Sequence, residues 1–219
     1  MRGKSGLKAV SLLCIFLLSG CVTRFSQSTF TTNCQDVIEA GGLTILPLSI
    51  QTVEIDNPEM LKKDQAVNLV QEALKKVISK RYLNVEIVEP EELLKRIGTA
   101  DFDDIYEKKC DRSRSCLVDS IENAVKTKTC LLVEEVMLTK CNNPCEFFAC
   151  LIGTRYSATL KAVILDKESK MVVAELKGNA YGHSGLIIYL LPPLILPQIA
   201  TLQGTIKSAC EAAFSLKND

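Results

Sequence analysis

Ten cysteines and a single histidine are the residues of this 219-residue chain whose types and spacing could do chemistry. Cys110 and Cys116 have five residues between them. A thioredoxin-type redox pair needs two intervening residues and a low-pKa thiolate, so this pair reads as a structural disulfide that clips the start of a helix. Cys141, Cys145 and Cys150 offer three of the four ligands a tetrahedral zinc site wants, without the close pair such sites use. His183, the only histidine, is far away in sequence. Neither a metal nor a cofactor is expected. His183 has no serine or cysteine nucleophile in a recognisable elbow to serve. Glu134 and Glu135 are adjacent in a strand and are expected on opposite faces, not as a paired acid and base. Asp101, Asp103 and Asp104 do not continue into a calcium loop, and no phosphate loop or dinucleotide fingerprint occurs. No catalytic residue is expected, and the chain reads as a non-enzyme.

The amino-terminal residues decide the compartment. Arg2, Lys4 and Lys8 precede the apolar run Ala9 to Leu18, and small residues lead to Cys21. The run is too short to span a bilayer and has the anatomy of an export signal. Leu18-Ser19-Gly20-Cys21 resembles a bacterial lipoprotein lipobox, which implies a signal peptide over 1–20, cleavage before Cys21 and acylation of that cysteine. Val22 is not aspartate, and resemblance to the enteric sorting rule implies the outer membrane, with the body facing the periplasm. Removing residues 1–20 from 219 leaves 199, enough for one substantial domain. Three of the 26 basic residues leave with the signal, so 23 face 26 acidic ones, a balance of −3. A mildly acidic body argues against nucleic-acid binding. Eight cysteines remain once Cys14 and Cys21 are set aside, an even number that in an exported chain reads as a disulfide set. Besides Cys110–Cys116, a Cys141–Cys150 bridge is expected across the base of a loop, and a Cys34–Cys210 bridge from the tether to the last helix.

The elements that must position these residues follow from periodicity. Residues 21–34 are polar and Ser/Thr-rich and read as the lipidated cysteine plus a flexible tether. The remainder, 35–219, reads as a single domain. Leu43 to Ile55 reads as a strand, with Pro47 marking an edge or bulge. Asp64 is the expected cap of a helix that puts Ala66, Val67, Val70, Ala73, Leu74, Val77 and Ile78 on one face. Asn84 to Val88 alternates as a short strand, and Pro90 opens a short helix. Ser115 is the expected cap of another helix, with Leu117, Val118, Ile121, Ala124 and Val125 on its face. Cys130 to Thr139 reads as a buried strand. Arg155 to Asp166 and Met171 to Tyr181 read as a hairpin around Lys167-Glu168-Ser169-Lys170. In its second strand, Val172, Ala174 and Leu176 share a face. Ile199, Leu202, Ile206, Ala209 and Ala213 share a face of a terminal helix, despite Gly204.

One stretch carries a family likeness: Cys110-Asp111-Arg112-Ser113-Arg114-Ser115-Cys116-Leu117 before a helix, the strand from Cys130, and Tyr156 to Asp166 turning into Met171-Val172-Val173-Ala174. This order resembles the periplasmic α/β domain of the curli-secretion lipoprotein CsgG, the TolB N-terminal domain and the penicillin-binding-protein activator LpoB, over about residues 43 to 182. The resemblance implies an α+β fold, a mixed sheet with helices packed on it, here disulfide-bridged, and an envelope role without catalysis. Two features depart from the pattern. Lys126-Thr127-Lys128-Thr129 stands where relatives have a Gly-Ala-Asp-type turn, and the loop from Cys141 to Cys150 is enlarged.

Gly185 to Ala200 is almost wholly apolar and holds Pro192, Pro193 and Pro197, which exclude a regular spanning helix. It reads either as a core element or as an exposed apolar patch for a partner or the lipid surface, with the second favoured. Its candidate contact residues are Ile187, Ile188, Tyr189, Leu194 and Ile195. Phe147 and Phe148 in the Cys141–Cys150 loop read as a partner-facing knob or as a loop core. The expected function is an outer-membrane lipoprotein acting by protein-protein interaction, as an envelope assembly or secretion accessory. Its partners would be the membrane, through the lipid, and an envelope protein or a second copy, with no small-molecule substrate identified. The alternative is a protomer of an oligomeric secretion pore.

Overall fold

A computed structural model of the protein describes residues 23–30, 34–57, 59, 61–98, 102–141, 154–184 and 202–215. Seven strands form one mixed sheet: β1 (Thr23–Phe30), β2 (Leu43–Ile45), β3 (Val53–Ile55), β4 (Ile87–Val88), β5 (Thr129–Cys141), β6 (Thr154–Asp166) and β7 (Val172–Ser184). Among the described residues five α-helices accompany them: α1 (Cys34–Gly41), α2 (Lys63–Arg81), α3 (Pro90–Ile97), α4 (Arg114–Ile121) and α5 (Leu202–Ala213). A π-helical turn, Asp104–Lys109, precedes α4. The strand order is β1-β7-β6-β5-β2-β4, with β3 also on β5. The β1-β7-β6-β5 half is antiparallel; β2 and β3 run parallel to β5, and β4 parallel to β2. This is the α+β class, a mixed sheet with helices packed on it and a disulfide.

Alternation along β5 and β6 builds two cores. Leu131, Val133, Val136 and Leu138 join Ala158, Leu160, Ala162 and Ile164 under α1, α2 and α5. Cys130, Leu132, Val163 and Leu165 face the other way, under α3, the π-helical turn and α4. Helix α2 buries Ala66, Val70, Ala73, Leu74, Val77 and Ile78, the apolar face legible in its spacing. Helix α5 lies so close to β7 that a Cβ on Gly178 would sit 1.9 Å from the Ala209 carbonyl oxygen. Only glycine permits that approach.

Several expectations shift. Leu43 to Ile55 is not one strand. β2 pairs with Thr129–Leu131 and β3 with Val136–Leu138, and a buried excursion through Pro47 and a 3-10 turn, Ile50–Thr52, separates them. Proline lacks the N–H that a continuous ladder needs. The expected strand over Asn84–Val88 is only Ile87–Val88. Asp64 lies in the first turn of α2 behind the cap Lys62, and Ser113, not Ser115, caps α4 by accepting from the Cys116 N–H. Pro90 does open α3, which ends at Gly98 in the left-handed conformation.

The tether reading of 21–34 is also corrected. Thr23–Phe30 is an edge strand, paired residue by residue with Tyr181 back to Ala174 of β7. The segment Thr-Arg-Phe-Ser-Gln-Ser-Thr-Phe is polar but contains two Thr and two Phe, residues that favour strands. Pairing satisfies the free backbone edge that β7 would otherwise present. Cys34 then starts α1, so it too belongs to the folded body.

Candidate interaction surfaces and the charged sheet face

The Cys110–Cys116 disulfide forms as expected, with Cα atoms 5.4 Å apart. It bridges the end of the π-helical turn to the first turn of α4, across Asp111 and Arg112, whose φ values of 45° and 59° lie in the left-handed region. The Arg112 N–H bonds the Tyr106 carbonyl and the Ser113 N–H the Cys110 carbonyl, which fixes this turn. It sets the direction in which Arg114, the first residue of α4, projects over the sheet.

Arg114 meets Glu134 through two hydrogen bonds, Nε to Oε1 at 2.5 Å and Nη2 to Oε2 at 2.8 Å. Such a fork is the strong form of a charge pair. Glu135 pairs with Lys161 Nζ at 2.5 Å. The expectation that Glu134 and Glu135 face opposite ways is overturned by a β-bulge. Val133 opposes Ala162 and Glu135 opposes Lys161, so Glu134 is the extra residue. Val133 and Val136 both enter the first core, which leaves both glutamates on the opposite face. The signal was present in the sequence: Val-Glu-Glu-Val breaks strict alternation. A second register shift, between Ile164 and Leu165, puts Val173 against the first core and Val172 against the second, so Val172 does not share a face with Ala174.

Arg114, Glu134, Lys161, Glu175 and Lys177 line a half-open cavity of about 390 Å³ on this face. Donating hydrogen bonds to Glu134 holds the Arg114 guanidinium more firmly protonated than usual, with the charges of Glu134 and Glu175 adding to it. Burial, then the Glu134 charge, raises the pKa of Tyr106 beneath. Opposite charges here neutralise one another, and no serine, threonine or cysteine is among the residues that line the cavity. A second groove, of about 560 Å³, runs between α2 and α5 and carries Lys76, Lys80, Arg81 and Lys207 against Glu211. Lys80 and Arg81 are in the last turn of α2, where cations offset the helix dipole.

Two of the expected bridging residues fare differently. Cys210 is a free, fully buried thiol on the sheet-facing side of α5, so the Cys34–Cys210 bridge is not formed. Its helical spacing with Ile206 and Ala213 makes it part of the core stripe. Cys130, in β5, is likewise free and buried. Burial pushes both thiols up to about 12, which removes them as nucleophiles near neutral pH. Cys141 ends β5; the expected Cys141–Cys150 bridge lies outside the described residues, as do Cys21, Phe147, Phe148, Ile187, Ile188, Tyr189, Leu194 and Ile195. His183 lies at the end of β7, opposite Arg155 in β6. Among the described residues no group of three or more His, Cys, Asp or Glu is placed to hold a metal ion. No described helix is long and apolar enough to cross a membrane.

No family model and no curated protein matches the chain. Among solved structures it is similar to the PelC dodecamer from Paraburkholderia phytofirmans, at 7% identity and a TM-score of 0.37, over 87% of this chain and 94% of that one. It is similar also to a point variant of that dodecamer in another crystal form, at 6% identity and a TM-score of 0.37, over 88% and 95% of the two chains. Likeness at this level does not establish a common fold.

Proposed function

We propose that this chain is a non-catalytic lipoprotein of the bacterial outer membrane, anchored by an acylated Cys21 and facing the periplasm. It acts by protein-protein contact as an envelope assembly or secretion accessory. The observation that carries the reading is Leu18-Ser19-Gly20-Cys21 behind a basic segment and a short apolar run. The Cys110–Cys116 disulfide suits an oxidising compartment.

The pore alternative needs membrane strands of about 9–11 residues. The β6–β7 hairpin has 13-residue strands, but Leu160, Ala162, Ile164, Leu176 and Ala180 are core residues and Gly178 is pressed by α5. That hairpin is committed to the domain, which favours the accessory reading. Crosslinking the acylated protein in intact cells tests it. An adduct with an envelope protein or a second copy is expected. Recovery of uncrosslinked monomer alone, at reagent levels that join known envelope complexes, contradicts it.

A further inference from the structure

We infer that the end of the sheet formed by Thr23, Cys141, Thr154 and Ser184 lies directly against the phospholipid leaflet that holds Cys21. The inference rests on the lipid-anchor reading above and adds an orientation to it. Three chain features meet at this end. Thr23 is opposite Tyr181 at the start of β1, Cys141 is opposite Arg155 where β5 ends, and Thr154 is opposite Ser184 where β6 begins and β7 ends.

The first feature is the anchor. Because Thr23–Phe30 is paired in the sheet, only Val22 separates Cys21 from β1. Two residues span at most about 7 Å, so an acylated Cys21 holds the first residue of β1 at the headgroup layer. A domain on a long tether could take any orientation; one on a two-residue link cannot. The second and third features are the stretches that leave and rejoin the described fold there. Residues 142–153, between Cys141 and Thr154, carry one charged side chain, Glu146. Residues 185–201, which follow Ser184, carry none and contain Leu186, Ile187, Ile188, Leu190, Leu191 and Leu194. Both stretches adjoin the anchored end in sequence and are poor in charge.

At the opposite end the β6–β7 turn carries Lys167, Glu168 and Lys170, beside Lys128, and α2 ends in Lys80 and Arg81, while the strand ends at the anchored end carry Arg24, Lys140 and Arg155. On the uncovered face toward the anchored end, Met137 and Tyr181 are 38% and 46% exposed. Tyrosine suits the depth where apolar and polar layers meet.

Site-specific photocrosslinking in the full, acylated chain tests the orientation. Benzoylphenylalanine replaces Tyr181 at the anchored end or, separately, Leu83, which is 81% exposed at the opposite end. Cells are grown with radiolabelled phosphate, and each variant is first checked for native protease resistance. Several-fold more labelled phospholipid adduct at position 181 than at 83 is expected. Equal adducts, or more at 83, from protein that still sediments with membranes overturns the orientation and leaves the anchor standing. A protein-protein adduct at 181 without lipid assigns this end to a second copy or another partner and also overturns it. Failure of the unmodified chain to sediment with membranes is instead the failure of the anchor, and the orientation falls with it.

Discussion

Cys110, Cys116, Cys130 and Cys210 are the same residue type with different fates, set by where the backbone places them. Cys110 and Cys116 face each other across a turn whose two central residues take left-handed φ. Their proximity in sequence made the pairing legible. Non-reducing peptide mapping should recover them joined, and Cys116→Ser should cost about 2–3 kcal/mol in the chain-entropy description of a short loop. An even cysteine count suggests a partner for Cys210, whereas its helical spacing puts it in the core stripe. Both free thiols should resist thiol reagents at pH 8 in the folded protein and react once it is denatured. Their pKa values rise from 9.0 unfolded to about 12 folded. The folded state therefore keeps protons that the unfolded state releases, and stability falls as pH rises from 9 toward 12. Denaturant titrations should show a shallower alkaline decline for Cys130→Ala and Cys210→Ala, by about 1.4 kcal/mol per pH unit at most for each thiol removed.

Elements were legible where one periodicity ran without interruption, and hidden where the ladder slips. The stripe of α2 and the alternation of β6 are both readable from Ala66 to Ile78 and from Ala158 to Ile164. The bulge at Glu134 was not deduced, because one inserted residue reverses every side chain beyond it. It is what brings Glu134 and Glu135 to one face, where Arg114 and Lys161 meet them. β1 is not legible in the sequence, because its pairing with β7 is a long-range contact that polar composition does not announce. The tightest joint between elements is Gly178 against α5. Gly178→Ala should cost about 3 kcal/mol or more, because backbone and not a mobile side chain must yield. Gly98→Ala meets open space at φ +74 and should cost about 1–2 kcal/mol, from left-handed strain alone. Thermal unfolding of the two variants separates the effects.

For the whole molecule, the separation of ends is the feature with functional weight. The chain's amino-terminal strand, its enlarged loop and its apolar segment all join one end of the sheet. If the apolar segment faces lipid or a partner, Ile188→Glu with Leu194→Glu should leave the melting transition of the non-acylated domain native-like while membrane binding or self-association is lost. Collapse of that transition would assign the segment to the core. The proposed export and anchoring rest on the first 21 residues alone, because such a signal depends on local composition and not on folding. The proposed role depends on the lipid on Cys21. Cells expressing the full chain or Cys21→Ser are fed an alkyne fatty acid, and acylation and fractionation after a high-salt wash are read together. A labelled, membrane-bound wild-type chain and an unlabelled variant with a greatly reduced membrane fraction are expected. An unlabelled wild-type chain, or a label that survives Cys21→Ser, would contradict it.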